Sequence, residues 1–207
     1  MYKVYFNQRQ VVLTDNISDY NKSHENILVK YTSKSDIKAL LDNFEFENHL
    51  KCLVIFYDDL KTLKAVFNAC FTKVSAAGGL VMNSKDQFLF IKRLRKWDLP
   101  KGKRDKNEKI SDTALREISE ECGIDELEIL KKLNFTYHCY YFEGKKILKK
   151  TNWYLVNYKG TKDPVPEEKE NITKIKWFNE SEFSAIKENT YPSIIDVIDK
   201  YLKIKKE

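Results

Sequence analysis

The order of apolar and polar positions divides the chain into two stretches of different character. In the first, Val4–Phe6 and Gln10–Leu13 read as paired short strands and Asn26–Tyr31 as a third. Ser33–Leu41 sets Ile37, Leu40 and Leu41 on one side, which predicts a helix. Cys52–Tyr57 is an unbroken apolar run, as expected of a buried strand. In Asp58–Phe71 the residues Leu60, Leu63, Val66, Phe67 and Cys70 return to helical spacing. Such stripes build cores, so residues 1–71 are expected to form a small mixed α/β unit without chemistry of its own.

The pattern changes over residues 72–207. Val74–Met82 and Gln87–Lys92 read as strands joined by a turn at Asn83–Asp86. A polar loop with Pro100 and Gly102 leads into a helix over Asp112–Cys122, with Ser111 placed to cap its start and Gly123 to close its end. Strands are expected at Asn134–Phe142, Thr151–Tyr158 and Thr173–Phe178, and an amphipathic helix at Tyr191–Ile204. The sum is an α+β or layered αβα arrangement.

Composition narrows the class. With 42% hydrophobic and 33% charged residues the chain fits a globular protein in water. It has no apolar run near the roughly 20 residues that span a bilayer, and its first residues show no apolar signal core. A cytoplasmic location without a membrane partner is the expectation. Cys52, Cys70, Cys122 and Cys139 form no CxxC pair and read as small buried hydrophobes. The net charge of +6 is modest, but basic residues crowd between Lys85 and Lys109. That crowding suits a polyanion, either a phosphorylated small molecule or nucleic acid; a solvated lysine-rich surface is the ordinary alternative.

The helix over 112–122 carries Glu117, Glu120 and Glu121 at i, i+3 and i+4, on one face. Three like charges so close repel unless neutralised. A divalent cation does this, and oxygen-only ligands point to magnesium or manganese. A solvated acidic face is the competing reading. Ala114, Leu115, Ile118 and Cys122 supply the opposite, apolar side.

From Gly102 onward the spacing is Gly-x5-Glu-x7-Arg-Glu-U-x-Glu-Glu-x-Gly-U, where U is bulky and aliphatic. Glu108, Arg116, Glu117, Ile118, Glu120, Glu121, Gly123 and Ile124 fill it. At average residue usage, chance would produce it on the order of once in ten million such chains. The segment resembles the Nudix box with every defined position occupied. Ala77-Gly78-Gly79 and Trp97-Asp98-Leu99-Pro100-Lys101-Gly102-Lys103 are similar to segments preceding the box in a subgroup of that family. The subgroup includes dinucleoside polyphosphate hydrolases, diphosphoinositol polyphosphate hydrolases and RNA decapping enzymes. Lys150–Tyr154, Glu170–Ile172 and Trp177 resemble downstream family segments more loosely, and residues 1–71 match none.

The resemblance implies a Nudix αβα sandwich with a mixed sheet and hydrolysis of a diphosphate linkage. It makes Glu117, Glu120 and Glu121 ligands of magnesium, or of manganese in its place, with the carbonyl of Lys101 or Gly102 as a further ligand. Arg116 would hold the box carboxylates, and Glu108 would brace the loop against the helix. Glu170 would be an additional glutamate outside the box, as ligand or base, with Glu167 and Glu168 as close rivals. Lys101, Lys103, Arg104 and Arg93 would bind non-reacting phosphates. Lys145, Lys146, Lys149 and Lys150 are either the far wall of that pocket or plain hairpin surface. Tyr140 or Tyr154 suits base stacking or, more ordinarily, core packing.

A dinucleoside polyphosphate is the expected kind of substrate. An RNA 5′-end pyrophosphohydrolase and a non-catalytic ligand sensor are the alternatives. No helix-turn-helix pattern appears, so DNA is not expected as a partner. A homodimer is a further expectation, with residues 1–71 at the contact or at the pocket edge.

Overall fold

The computed structural model describes residues 2–18, 20 and 23–207. In chain order the elements are β1 (Tyr2–Phe6), β2 (Arg9–Thr14), β3 (Asn26–Lys30), α1 (Lys34–Phe46), β4 (Cys52–Phe56) and α2 (Leu60–Asn68). Then come β5 (Thr72–Met82), β6 (Phe88–Arg93), β7 (Lys96–Asp98), β8 (Lys101–Lys103) and α3 (Ile110–Cys122). The chain ends with β9 (Leu127–Phe142), β10 (Lys145–Tyr158), β11 (Ile172–Phe178), α4 (Phe183–Glu188) and α5 (Pro192–Lys206).

Two units emerge, Met1–Lys73 with Tyr137–Leu148, and Val74–Thr136 with Lys149–Glu207. This differs from an uninterrupted division at 71/72, because the middle of the β9–β10 hairpin is counted with the N-terminal residues. The hairpin is also longer than its pattern suggests. β9 starts at Leu127 rather than Asn134, and β10 at Lys145 rather than Thr151. The added stretches, Leu127–Leu133 and Lys145–Lys150, are rich in charged residues with weak strand preference.

In the N-terminal unit the order is β1-β2-β4-β3. β1 and β2 pair antiparallel, while β4 lies parallel to both β2 and β3. Alternation sorts the side chains: Val11 and Leu13 join Leu53 and Ile55 under Ile37, Leu41 and Phe44 of α1 and Leu63 and Phe67 of α2. Val12 and Val54 turn to the other face with Leu28 and Tyr20. Ser33 caps α1 by accepting from the Asp36 amide. At the other end Arg9 donates to the carbonyls of Phe44, Glu45 and Glu47, which have no partner within the helix. The segment Tyr137–Leu148 contributes Cys139 and Leu148 to this core.

The second unit orders its strands β11-β6-β5-β10-β9, with β7 on β6 and β8 on β5. Period-two alternation again gives two faces. Leu80, Phe88, Phe90 and Trp153 pack with Phe183 and Ile186 of α4 and Ile194, Val197 and Ile198 of α5. Ala77, Val81, Leu89, Ile91 and Val156 pack with Ala114, Ile118 and Cys122 of α3. Helices therefore cover both faces of a mixed sheet, the αβα layering expected. The polar loop around Pro100 is in fact two short strands, β7 and β8. Among the described residues no helix is long and apolar enough to cross a membrane.

Helix α3 departs from expectation at its start. It begins at Ile110 with Lys109 at the cap and no side-chain cap bond. Ser111 donates instead to Asp112 Oδ1 at 3.1 Å. The first turn is tied down by Glu108, which accepts the Thr113 hydroxyl at 2.7 Å and the Asp105 amide at 3.1 Å. At the end, Gly123 takes left-handed backbone at φ 62°.

Candidate active site

The site begins with a close approach of two strands. β5 and β8 pair through Ala76↔Lys103, Ala77↔Gly102 and Gly78↔Lys101. A Cβ on Gly78 would stand 2.2 Å from the Pro100 carbonyl oxygen and 2.5 Å from Lys101 Cβ. Only a bare Cα lets β8 lie there, and β8 is what presents the loop to α3. Gly102 works in the same way toward the helix: a Cβ there would meet Glu117 Oε2 at 1.8 Å, so the carboxylate occupies the space a side chain would fill.

Arg116 gathers the acids. Its Nε donates to Glu108 Oε1 at 2.9 Å, and Nη1 reaches Glu117 Oε1 and Glu120 Oε2, each at 2.9 Å. Nη2 donates to the Lys103 carbonyl at 2.9 Å. One guanidinium thus ties helix, preceding loop and β8 together. It holds the Glu108 carboxyl down to about 2, well below the ordinary range. A lysine has the charge without the planar fork. Arg116→Lys should therefore lower magnesium affinity or turnover about 10- to 100-fold, the usual cost of losing a group that orients ligands. Calorimetric metal titration and steady-state kinetics read this directly, and unchanged values would remove Arg116 from the machinery.

Deeper in, Glu121 is 2% exposed and accepts the Lys101 amide at 2.9 Å. Asp98, also 2% exposed, accepts from Lys101 Nζ at 2.5 Å. Arg93 spans the rim, 4.0 Å from Asp98 and 3.6 Å from Glu170. Burial pushes the Glu121 carboxyl up to about 7, against the opposing pull of Lys101 and Arg93. Glu117 is also raised, by burial first and then by Glu120 and Glu170, although Arg116 opposes this. Burial, with the neighbouring Lys101 and Arg93 charges, lowers Lys149 to about 8 against the opposing pull of Asp98 and Glu121.

The expected residues fall as follows. Glu117, Glu120, Arg116 and Glu108 form one bonded group, with Gly102 against Glu117. Glu121 sits behind them on the Lys101 amide. Glu170, in a one-turn 3-10 helix, reaches Arg93 and lies close enough to raise Glu117. Glu167 spends its side chain capping that turn. Lys101 is committed to Asp98 and the Leu99 carbonyl. Arg104 Nε donates to the Glu108 carbonyl at 2.5 Å, and Lys103 is exposed. Tyr154 is buried against α3, and Tyr140 belongs to the N-terminal unit.

Sequence reasoning gave Asp98, Lys96 and Tyr191 no role. Tyr191 lies near enough to Asp98 and Arg93 to feel both charges, and the Lys96 ammonium sits 5.8 Å from its ring centre. A charged residue between Trp97 and Leu99 was the one available signal for Asp98.

Among the described residues, no three His, Cys, Asp or Glu side chains stand ready to hold a metal ion as they are. The reason is visible in the bonds above: Glu117 and Glu120 are turned onto Arg116, and Glu121 onto the Lys101 amide. The donor set still suits a hard cation. It is all oxygen, and burial raises two of its carboxyls above their ordinary range, so a further positive charge nearby would favour their ionised forms.

Several solved structures are similar to this chain. An Ap4A hydrolase of C. elegans in a binary complex is 22% identical, over 64% of this chain and 98% of its own, with a TM-score of 0.49. The MutT protein of Methanosarcina mazei Go1 is 19% identical, over 66% of this chain and 98% of its own, at 0.49. A Nudix hydrolase of M. smegmatis, RenU, is 16% identical, over 66% of this chain and 88% of its own, at 0.50, and shares the fold. The NUDIX domain model matches residues 72–200. That match runs from β5 through the box on α3 and into α5, and the chain belongs to the Nudix family of pyrophosphohydrolases.

Proposed function

We propose that the protein is a magnesium-dependent hydrolase of a diphosphate linkage in a nucleotide-derived polyphosphate, a dinucleoside polyphosphate above all, with manganese able to replace magnesium. The observation that carries this reading is the meeting of two opposite surpluses. Burial raises the Glu117 and Glu121 carboxyls, which favours a cation beside them, while burial and the Lys101 and Arg93 charges lower the Lys149 ammonium, which favours an anion beside it. A cation answers the first surplus and a polyphosphate the second.

Glu117, Glu120, Glu121 and the carbonyl of Gly102 would hold the cation. Bound there, it neutralises phosphate oxygens and lowers the pKa of the attacking water. The protein's own part is positioning and charge. Arg116 fixes two of the acids, and the Lys101 amide fixes the third. Glu170, 56% exposed in its side chain, is the carboxylate placed to take a proton from solvent-side water. Arg93, Lys103 and Lys149 hold phosphates that do not react; Arg104 joins them by leaving the Glu108 carbonyl. Lys101 acts chiefly through Asp98 and Glu121.

The test is a magnesium-dependent panel of diadenosine polyphosphates, a diphosphoinositol, nucleoside triphosphates, ADP-ribose and triphosphorylated RNA, with Glu120→Gln as control. Preferential cleavage of diadenosine polyphosphates, lost in the variant, is the expected result. Preference for RNA would select the 5′-end reading, which the cations Arg93, Arg95 and Lys96 around one turn favour; its binding would then fall steeply with salt. Magnesium binding without turnover of any substrate would select the sensor.

A further inference from the structure

Between Arg93 and Lys96 the chain reverses in two residues, and both adopt left-handed backbone, Leu94 at φ 49° and Arg95 at φ 65°. A two-residue hairpin turn of this kind is ordinarily filled by Asn-Gly or Asp-Gly, because a Cβ crowds the neighbouring carbonyl. A branched apolar residue is a poor occupant, and burial does not explain it: Leu94 is 73% exposed. The turn is nonetheless held in place. Asn189 Nδ2 donates to the Arg95 carbonyl at 3.2 Å, and the Trp97 amide donates to the Asn189 carbonyl at 2.9 Å.

It is held at the edge of the active site. Arg93 pairs across the hairpin with Lys96, and Ile91 with Asp98, so these side chains share one face of the ribbon. Arg93 lies between the turn and the acids, 3.6 Å from Glu170. Residues held in sparsely populated backbone regions cluster at active sites and ligand clamps, where the strain is kept for a use.

We propose that the Leu94–Arg95 turn is a rest for the nucleobase at the far end of the polyphosphate, with Arg93 and Lys96 taking the phosphates in between. This rests on the hydrolase reading above and specifies the substrate's distal group. A planar ring offers an apolar face to Leu94 and a π surface to the Arg95 guanidinium. An inositol polyphosphate offers only phosphates and hydroxyls, which give an exposed leucine nothing to bind.

The double variant Leu94→Asn/Arg95→Gly supplies the residues the turn geometry prefers, so misfolding cannot mimic the expected loss. Its Tm should rise by a few degrees. Titration calorimetry in EDTA, where nothing is hydrolysed, should show diadenosine tetraphosphate bound about tenfold more weakly than by the wild type. Adenosine 5′-tetraphosphate, which lacks the second base, should change by no more than about twofold. The uncharged single variant Leu94→Asn should show the same selective loss to a smaller degree. Equal weakening of both nucleotides, unchanged binding of the diadenosine compound, or no binding of it by the wild type would each overturn the base rest. The substrate panel judges the hydrolase reading separately, since turnover by the wild type with unaltered binding in the variant leaves that reading standing.

Discussion

Glu121→Gln should cut hydrolysis severely and, without metal above pH 7, make the protein more stable. Both effects follow from one buried carboxyl. In the folded chain burial raises it to about 7 from an ordinary 4.5. The native state therefore holds its proton more tightly than the unfolded state does. Its stabilising contribution is complete below the ordinary value and is lost as pH rises through about 7. Summed over that interval the loss is ~3 kcal/mol, as an order of magnitude. Glutamine has nearly the same shape, keeps an oxygen for the Lys101 amide and carries no charge, so its stability should not fall over this range. Melting curves in EDTA from pH 5 to pH 8 should run together at the acid end and separate toward pH 8. Magnesium should raise the Tm of the wild type at pH 8 and leave the variant nearly unmoved. Turnover should fall on the order of 10³-fold, equivalent to the several kcal/mol a bound divalent cation contributes. A variant whose Tm follows the wild type across the range would show that this carboxyl is not the strained acid described above.

Gly78→Ala should cost about 3 kcal/mol, the upper end of what overpacking costs. The added Cβ meets backbone and Cβ atoms of Pro100 and Lys101 rather than the end of a flexible side chain. β8 would have to lift from β5, taking the Lys101 amide away from Glu121 and the Lys103 carbonyl away from Arg116. A drop in Tm on the order of 10 °C is expected, with activity reduced even well below the new midpoint. Full activity at low temperature would mean that the pairing of β5 and β8 is not what positions the box.

The helix and its acids were legible because their information is local. Spacing at i, i+3 and i+4 puts Glu117, Glu120 and Glu121 on one face, and Gly123 marks the end where the backbone turns left-handed. The loop before the helix was not legible. Lys96-Trp97-Asp98 and Lys101-Gly102-Lys103 are too short and too polar to alternate visibly; the first becomes a strand by folding back on β6 through a turn without the usual turn residues, the second by pairing with the distant β5. Ser111 misled for a related reason, since Glu108 secures the first turn through Thr113 and leaves no place for a cap. The partners of Asp98 are likewise tertiary: Lys101 is close in sequence, but Arg93 reaches it only across a hairpin. Glu170 and Glu167 could not be separated until the one-turn helix gave one of them a capping duty.

The discontinuous first unit has a consequence for synthesis. Val4, Leu13, Phe44 and Phe67 are made early, yet Cys139 and Leu148, which share their core, emerge from the ribosome 72 and 81 residues after Phe67. Until then the nascent chain carries an apolar layer with part of its cover still unmade, alongside strands whose edges offer pairing sites. Native closure of this unit waits until the whole box, Gly102 to Ile124, has also been translated. The first unit still closes before the second, which needs residues through Glu207, but the gap between its two pieces leaves its apolar layer part-covered for the length of Val74–Thr136.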